Sequence, residues 1–355
     1  MTVDPTLARV SNDLLVVAVL SYGTAMVGYA AEFAFAGRPG RPARTRPVAH
    51  AAASLDALER PVTTDPPVRD APAAVEVPDL PVWMRPAAER GPRPIAAPGR
   101  RSLRAGRVAL ALTVLGWVAH AATLATRGLA AHRVPWGNMY EFSVAITLAA
   151  VTAYLVVVAR KPDLRFLGAF VMLPVVVTLG IAGTLLYSKA EPLQPALQSY
   201  WLKIHVLAAI IAWGTFLVGA VQTVLYLQKA RYEARLGSGA TVSGGGIMRR
   251  LPAAAALDTA AYRTIAFAFP IWTFAIVAGA VWAEAAWGRY WGWDPKETWS
   301  FITWVIYAGY LHARATAGWK GRRAAWIAMA AFGALTVDYY VVNIVVSGLH
   351  SYAGL

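Results

Sequence analysis

Polar and apolar positions do not alternate along this chain at the period of a strand, nor do they mark out one face of a surface helix. Apolar residues come instead in long runs, at about 14–36, 107–130, 140–159, 166–187, 203–227, 264–283, 299–317 and 325–347. A helix needs roughly 20 apolar residues to cross the hydrocarbon core of a bilayer. The pattern therefore predicts an all-α, polytopic membrane helix bundle of about eight transmembrane helices. One interval breaks the rhythm. Residues 37–106 are rich in Pro, Ala and Arg without periodicity, the composition of a disordered linker. The chain thus divides into an N-terminal transmembrane helix (1–36), the linker (37–106) and a seven-helix membrane domain (107–355).

Charge sets the direction of threading. Arg38, Arg41, Arg44 and Arg46 follow the first span, and Arg160, Lys161 and Arg165 follow the third. Lys229, Arg231, Arg235, Arg249, Arg250 and Arg263 lie after the fifth, and Arg314, Lys320, Arg322 and Arg323 after the seventh. Lys and Arg collect in cytoplasmic loops, so these intervals read as inside and both termini as outside. The net charge of +14 then reflects topology and not nucleic-acid recognition. Loop 229–262, with GSG and SGGG runs, reads as a flexible cytoplasmic connection. No cleavable signal is expected, because the N-terminus lacks a basic leader and a small-residue cleavage site. The absence of cysteine excludes disulfides, thiolate-held metals and thiol chemistry by this chain.

On that topology the stretch from Trp287 to Trp304, WGRYWGWDPKETWSFITW, faces outward. Trp287, Trp291, Trp293, Trp299 and Trp304 share it with Arg289, Asp294, Lys296 and Glu297. Indoles favour the membrane interface, where the ring stays apolar and the N–H reaches water. Asp294 is a good N-cap, Pro295 suits the first helical position and Glu297 falls in the first turn. An aromatic belt leading into a capped helix explains much of this pattern. It does not explain the density, because a belt scatters its rings over many helix ends.

Histidine supplies the remaining chemistry. His50 falls in the linker and His132 in an outer loop; His205 and His350 close the outer ends of the fifth and eighth spans. His120 and His312 lie inside the second and seventh. A lone intramembrane histidine most often hydrogen-bonds a neighbouring helix. Two at one level beside a bank of indoles suit haem, with imidazoles as axial ligands and aromatic rings against the macrocycle. Arg289 and Lys296 suit its propionates. The residues read as an externally exposed haem site with His205 and His350 on the iron. Asp338, within the last span, is expected to pair with Asn343 or a tyrosine such as Tyr339, or to carry protons. Glu284 and Glu141 read as interfacial carboxylates or as contacts to a partner.

The run WGRYWGWDPKETWSFITWVIYAGYLHAR resembles the WWD motif of the haem-handling proteins of cytochrome c assembly. The tail VNIVVSGLHSYAG and the segment PWGNMYE narrow the resemblance to the CcsA/ResC branch of System II, called CcsB in some bacteria. It covers nearly everything from Arg107 onward and leaves out the linker. The resemblance implies a multi-pass protein of the bacterial plasma membrane, the haem-presenting part of a cytochrome c haem lyase/synthetase complex. It implies non-covalent haem b as the transferred substrate, held against the WWD segment, 284–304. There Trp287, Trp291, Trp293, Asp294, Trp299, Arg289 and Lys296 are the expected cofactor-binding residues and His205 and His350 the axial ligands. His312 matches a ligand of a further intramembrane haem, with His120 as the in-chain alternative for its second ligand. The implied partners are a CcsB/ResB-type membrane protein, an apocytochrome c with a CxxCH segment and a thioredoxin-like reductant. A b-type haem electron-transfer membrane subunit is the alternative. It would use intramembrane histidine pairs and have no need of an outer tryptophan platform.

Overall fold

The structure, a computed structural model, describes residues 3–35, 99–191, 195–238, 246–316 and 318–350. Its elements are helical: α1 (Pro5–Phe35), α2 (Arg100–Ala131), α3 (Met139–Arg160), α4 (Leu167–Thr184), α5 (Tyr200–Gly237), a short α6 (Gly246–Arg250), α7 (Ala254–Trp287), α8 (Pro295–Ala315) and α9 (Arg322–Thr336). A π-helical turn, Val337–Val341, continues α9 into α10 (Val342–Val345). Seven of the described helices, the last of them running through α9 to Val345, are long and apolar enough to cross a membrane. The chain is therefore a polytopic membrane bundle. The eighth expected span, 299–317, is α8. It falls outside the seven, because its first turns carry charge and its body mixes Tyr, Trp and Thr with aliphatic residues.

Two expectations change. Residues 100–106, assigned to the linker, form the first turns of α2; the rest of the linker, to residue 98, lies outside the described residues. Loop 229–262 is largely helical, because α5 runs on to Gly237 and α7 begins at Ala254. The Lys229 ammonium donates to the Met248 carbonyl at 2.6 Å, and Glu233 accepts from the Ala254 N–H at 3.2 Å. Lys229 thus ties α5 to α6 and Glu233 ties α5 to α7, while residues 239–245 lie outside the described set.

Within the bundle α1 lies along α2 and α5 along α7, and α3 packs between α4 and α5. Lipid supplies no hydrophobic force between helices, so close approach and polar contacts hold them. A Cβ at Gly214 would fall 2.6 Å from the Ala150 nitrogen, so only glycine lets α5 approach α3 so closely. Phe216 stacks on Tyr307 at 4.0 Å and joins α5 to α8. At the far end of these helices Asp258 takes two 2.8 Å hydrogen bonds from Arg314, closing α7 on α8. Glu141 is fully buried. It accepts from Arg127 at 2.8 Å, from Arg133 at 2.6 and 2.9 Å, and from the Gly137 N–H at 2.8 Å. A buried carboxylate needs such partners. Here they fix the loop between α2 and α3, including Trp136, Gly137 and Asn138.

Candidate functional site

One cavity with about 1230 Å³ of empty space, part of it open to solvent, is built from these elements. His205 enters from α5, Trp282 and Trp287 from α7, Lys296 from α8, and His350 from the segment after α10. The Glu141-braced loop contributes Trp136 to Met139, and the π-helical turn contributes Asp338 and Tyr339. The cavity also runs inward. Trp213 lies two turns beyond His205 on α5, roughly 12 Å along the axis, and lines the same space with Trp272 of α7.

Both imidazoles are held by the same device. His205 Nδ1 stands 2.7 Å from the Ala275 carbonyl. A carbonyl only accepts, so Nδ1 carries the proton and Nε2 the lone pair. Gly279 makes the approach possible, since a Cβ there would lie 2.8 Å from the His205 ring. His350 Nδ1 stands 2.8 Å from Asp294 Oδ1. Burial would raise the Asp294 carboxyl, but the His350 ring, the Leu349 N–H and the Lys296 N–H together hold it at about 2, below the ordinary 3.8. An ionised carboxylate only accepts, so His350 also donates from Nδ1. Trp282 is a neighbour common to both rings. It stacks on His205 at 6.1 Å, nearly parallel, and meets the His350 ring at 5.8 Å, with Trp287 5.1 Å from His350 on a further side.

Asp294 does two jobs. As predicted it caps α8, in a capping box where Glu297 reaches back to the Asp294 N–H at 3.0 Å. Its second oxygen takes the Leu349 N–H at 2.8 Å, so the helix cap also grips the segment that carries His350. Gly348 permits the contact, since a Cβ there would press on that oxygen at 2.8 Å.

The other expected residues divide. Trp287, Trp291 and Lys296 line the cavity. Arg289 lies beside it, paired with Glu297 at 3.1 Å, and Lys296 faces Asp338 Oδ2 at 3.6 Å. Both expected propionate anchors thus already have carboxylate partners. Asp338 pairs with Lys296 and not with Asn343 or Tyr339: Asn343 donates to the Tyr339 carbonyl, and the Tyr339 hydroxyl bonds Ser143 and Met139. Trp293 and Trp299 lie outside the cavity lining. Trp293, in the left-handed region at φ 59°, is 66% exposed and turns its ring to Phe301. His312 is exposed on α8. His120 is fully buried with both nitrogens engaged, Nε2 donating to the Val144 carbonyl at 2.9 Å and Nδ1 facing the Tyr22 hydroxyl at 3.2 Å. It joins three helices and is not among the residues that line the cavity. Sequence reasoning missed Trp282, Trp272, Trp213 and Trp136. Each sits in or next to an apolar run, where indole reads as core or belt.

Residues 136–350 match the sequence model of the family described as Cytochrome C assembly protein. The chain belongs to that family. Among its relatives, cytochrome c biogenesis protein CcsA of Guillardia theta is 36% identical over 256 residues, 68% of this chain and 84% of the relative. The proteins of the same name from Synechococcus elongatus and Gloeobacter violaceus are each 37% identical, covering 65% of this chain and 83% and 82% of theirs. This cytochrome c assembly protein is thus of the CcsA type, with a role in cytochrome c maturation. The family match begins at Trp136, in the loop that Glu141 braces, and ends at His350.

Proposed function

We propose that this assembly protein receives haem b and presents it, on the non-cytoplasmic face of the plasma membrane, for covalent attachment to apocytochrome c. One observation carries the reading: two imidazoles from distant parts of the chain border one aromatic cavity, each with its Nδ1–H committed to a fixed acceptor. Metal-ligating histidines are almost always held in this way, by a carboxylate or a backbone carbonyl on the other ring nitrogen. The donor set suits haem iron, and the indoles suit a flat apolar ligand. His205 and His350 are the axial ligands in this account.

When bound, haem supplies vinyl groups, and attachment adds a cysteine S–H across each vinyl C=C, forming one C–S and one C–H bond with no net electron transfer. The protein's part is to bind, orient and release. Trp282 and Trp287 steady the two imidazoles. Asp294 aims one of them, and Gly279 lets the Ala275 carbonyl aim the other. The substrate thiols arrive reduced, the task of a thioredoxin-like partner, and holding them beside the vinyl edge supplies most of the acceleration through proximity. A further, intramembrane haem would take His312 as one ligand and draw the second from a CcsB/ResB-type subunit. Against an electron-transfer haem ligated by intramembrane histidines stands His120, with both its nitrogens hydrogen-bonded within the fold.

Purification with its absorption spectrum tests the proposal. The native protein should carry a bis-imidazole haem band. His205→Ala and His350→Ala should each lose it, and added imidazole should restore it. A colourless native protein, or unchanged haem in both variants, would refute it.

A further inference from the structure

Among the described residues four buried side-chain polar atoms on this cavity lack a hydrogen-bond partner: Nε1 of Trp136, Trp213 and Trp272, and Oδ1 of Asp338. The first three are neutral donors. The fourth is an oxygen of a carboxylate that is 3% exposed, and leaving such a group unpaired is the most costly of the four. Lys296 and Ser300 support the carboxylate. The Lys296 ammonium spends its short bond, 2.9 Å, on the Asp338 backbone carbonyl and stays 3.6 Å from Oδ2, so Oδ1 is left over.

The backbone adds a second sign. Asp338 stands in the π-helical turn Val337–Val341. Such turns are rare, less stable than α-helix and frequent at functional sites. Two local costs fall on one residue, at the wall of the cavity.

What would satisfy Oδ1 is a donor. Ionised haem offers no N–H, O–H or S–H at its periphery, and the Nδ1–H groups of His205 and His350 are already given to Ala275 and Asp294. The second substrate can supply one. A CxxCH segment brings thiols, amides and one imidazole. A thiol is a weak donor, whereas an imidazole N–H on a carboxylate is the pairing this cavity already uses between His350 and Asp294. Resting on the haem-presentation reading, we propose that Asp338 receives the ring N–H of the histidine in the apocytochrome's CxxCH segment, holding that ring as it replaces a protein imidazole on the iron. Asp338 is thus a positioning residue for the acceptor peptide, and Lys296 keeps its carboxylate in place.

The test compares two reduced peptides, one with CxxCH and one with Ala in place of the histidine, on haem-loaded native protein and on Asp338→Asn. Haem content and spectrum are recorded for each protein, and peptide kinetics are compared at equal haem loading. The variant's KM for the CxxCH peptide should rise at least tenfold with kcat little changed, and its KM for the Ala peptide should not move. Asp338→Ser, with a smaller polar side chain, gives the same comparison if the Asn variant purifies poorly. Equal losses on both peptides, no loss on either, or parallel loss of haem in the variants would overturn the assignment. Failure of the underlying reading is seen separately, as native protein that holds no haem.

Discussion

Replacing Asp294 by Asn isolates the hold on His350, because the two side chains are nearly isosteric and cap helices about equally well. The first turn of α8 keeps its cap, and what changes is the acceptor of the His350 Nδ1–H. In the native chain this carboxyl sits at about 2 instead of 3.8. Burial opposes that lowering, and the His350 ring leads the groups that bring it about. Loss of the group that holds a metal-ligating histidine typically costs about 10- to 100-fold in affinity, or ~1.4–2.8 kcal/mol. An Asn oxygen still accepts the ring N–H, more weakly than a carboxylate does, so the lower figure applies. Haem release into excess apo-globin, followed in the Soret band, should be about tenfold faster for Asp294→Asn, with yield and helix content unchanged. Asp294→Ala should release as fast and also lose ~1 kcal/mol of stability with the cap. Native release rates in Asp294→Asn would show that the carboxylate only caps the helix.

Other outcomes follow from the same contacts. Gly279→Ala should drive the His205 ring off the Ala275 carbonyl and reduce haem content, at about 1–3 kcal/mol of overpacking. Gly309→Ala, with nothing within 4 Å of a new Cβ, should leave haem content unchanged. A depressed carboxyl contributes stability that is complete above its unfolded pKa and lost as pH falls through the folded one. Melting scans should therefore show the Asp294 contribution whole above about pH 4 and fading toward pH 2, a decline absent from Asp294→Asn. Glu141→Gln leaves the buried Arg127 guanidinium and the half-buried Arg133 without their carboxylate, which should cost about 3–5 kcal/mol in thermal unfolding in detergent. His120→Phe should cost about 1–3 kcal/mol by unpairing Tyr22 and Val144, yet leave the haem spectrum untouched.

The bundle was legible because the bilayer demands long apolar runs, and that demand is written residue by residue. Helix ends beyond the apolar core were not. The charged extensions of α5 and α7 look like loop until Glu233 is seen capping the first N–H of α7 and Lys229 holding α6. At the site, Asp294, Pro295 and Glu297 announced a helix cap correctly, because capping is local chemistry. The grip of Asp294 on His350 spans 56 positions, and no local signal carries it. Trp293 shows the opposite failure: membership of a dense tryptophan motif suggested a cavity wall, but a left-handed backbone turns the ring outward. Asp338 was marked as unusual by its charge in an apolar run. Its partner, Lys296, belongs to a segment that had been given another role.

The shared way in which His205 and His350 are tethered also bears on turnover. Each ring is oriented by a group belonging to the protein itself, so nothing in that orientation depends on cargo being present. On the proposed haem cycle, a departing ligand would leave both tethers as they were, and the site would reset without rebuilding them.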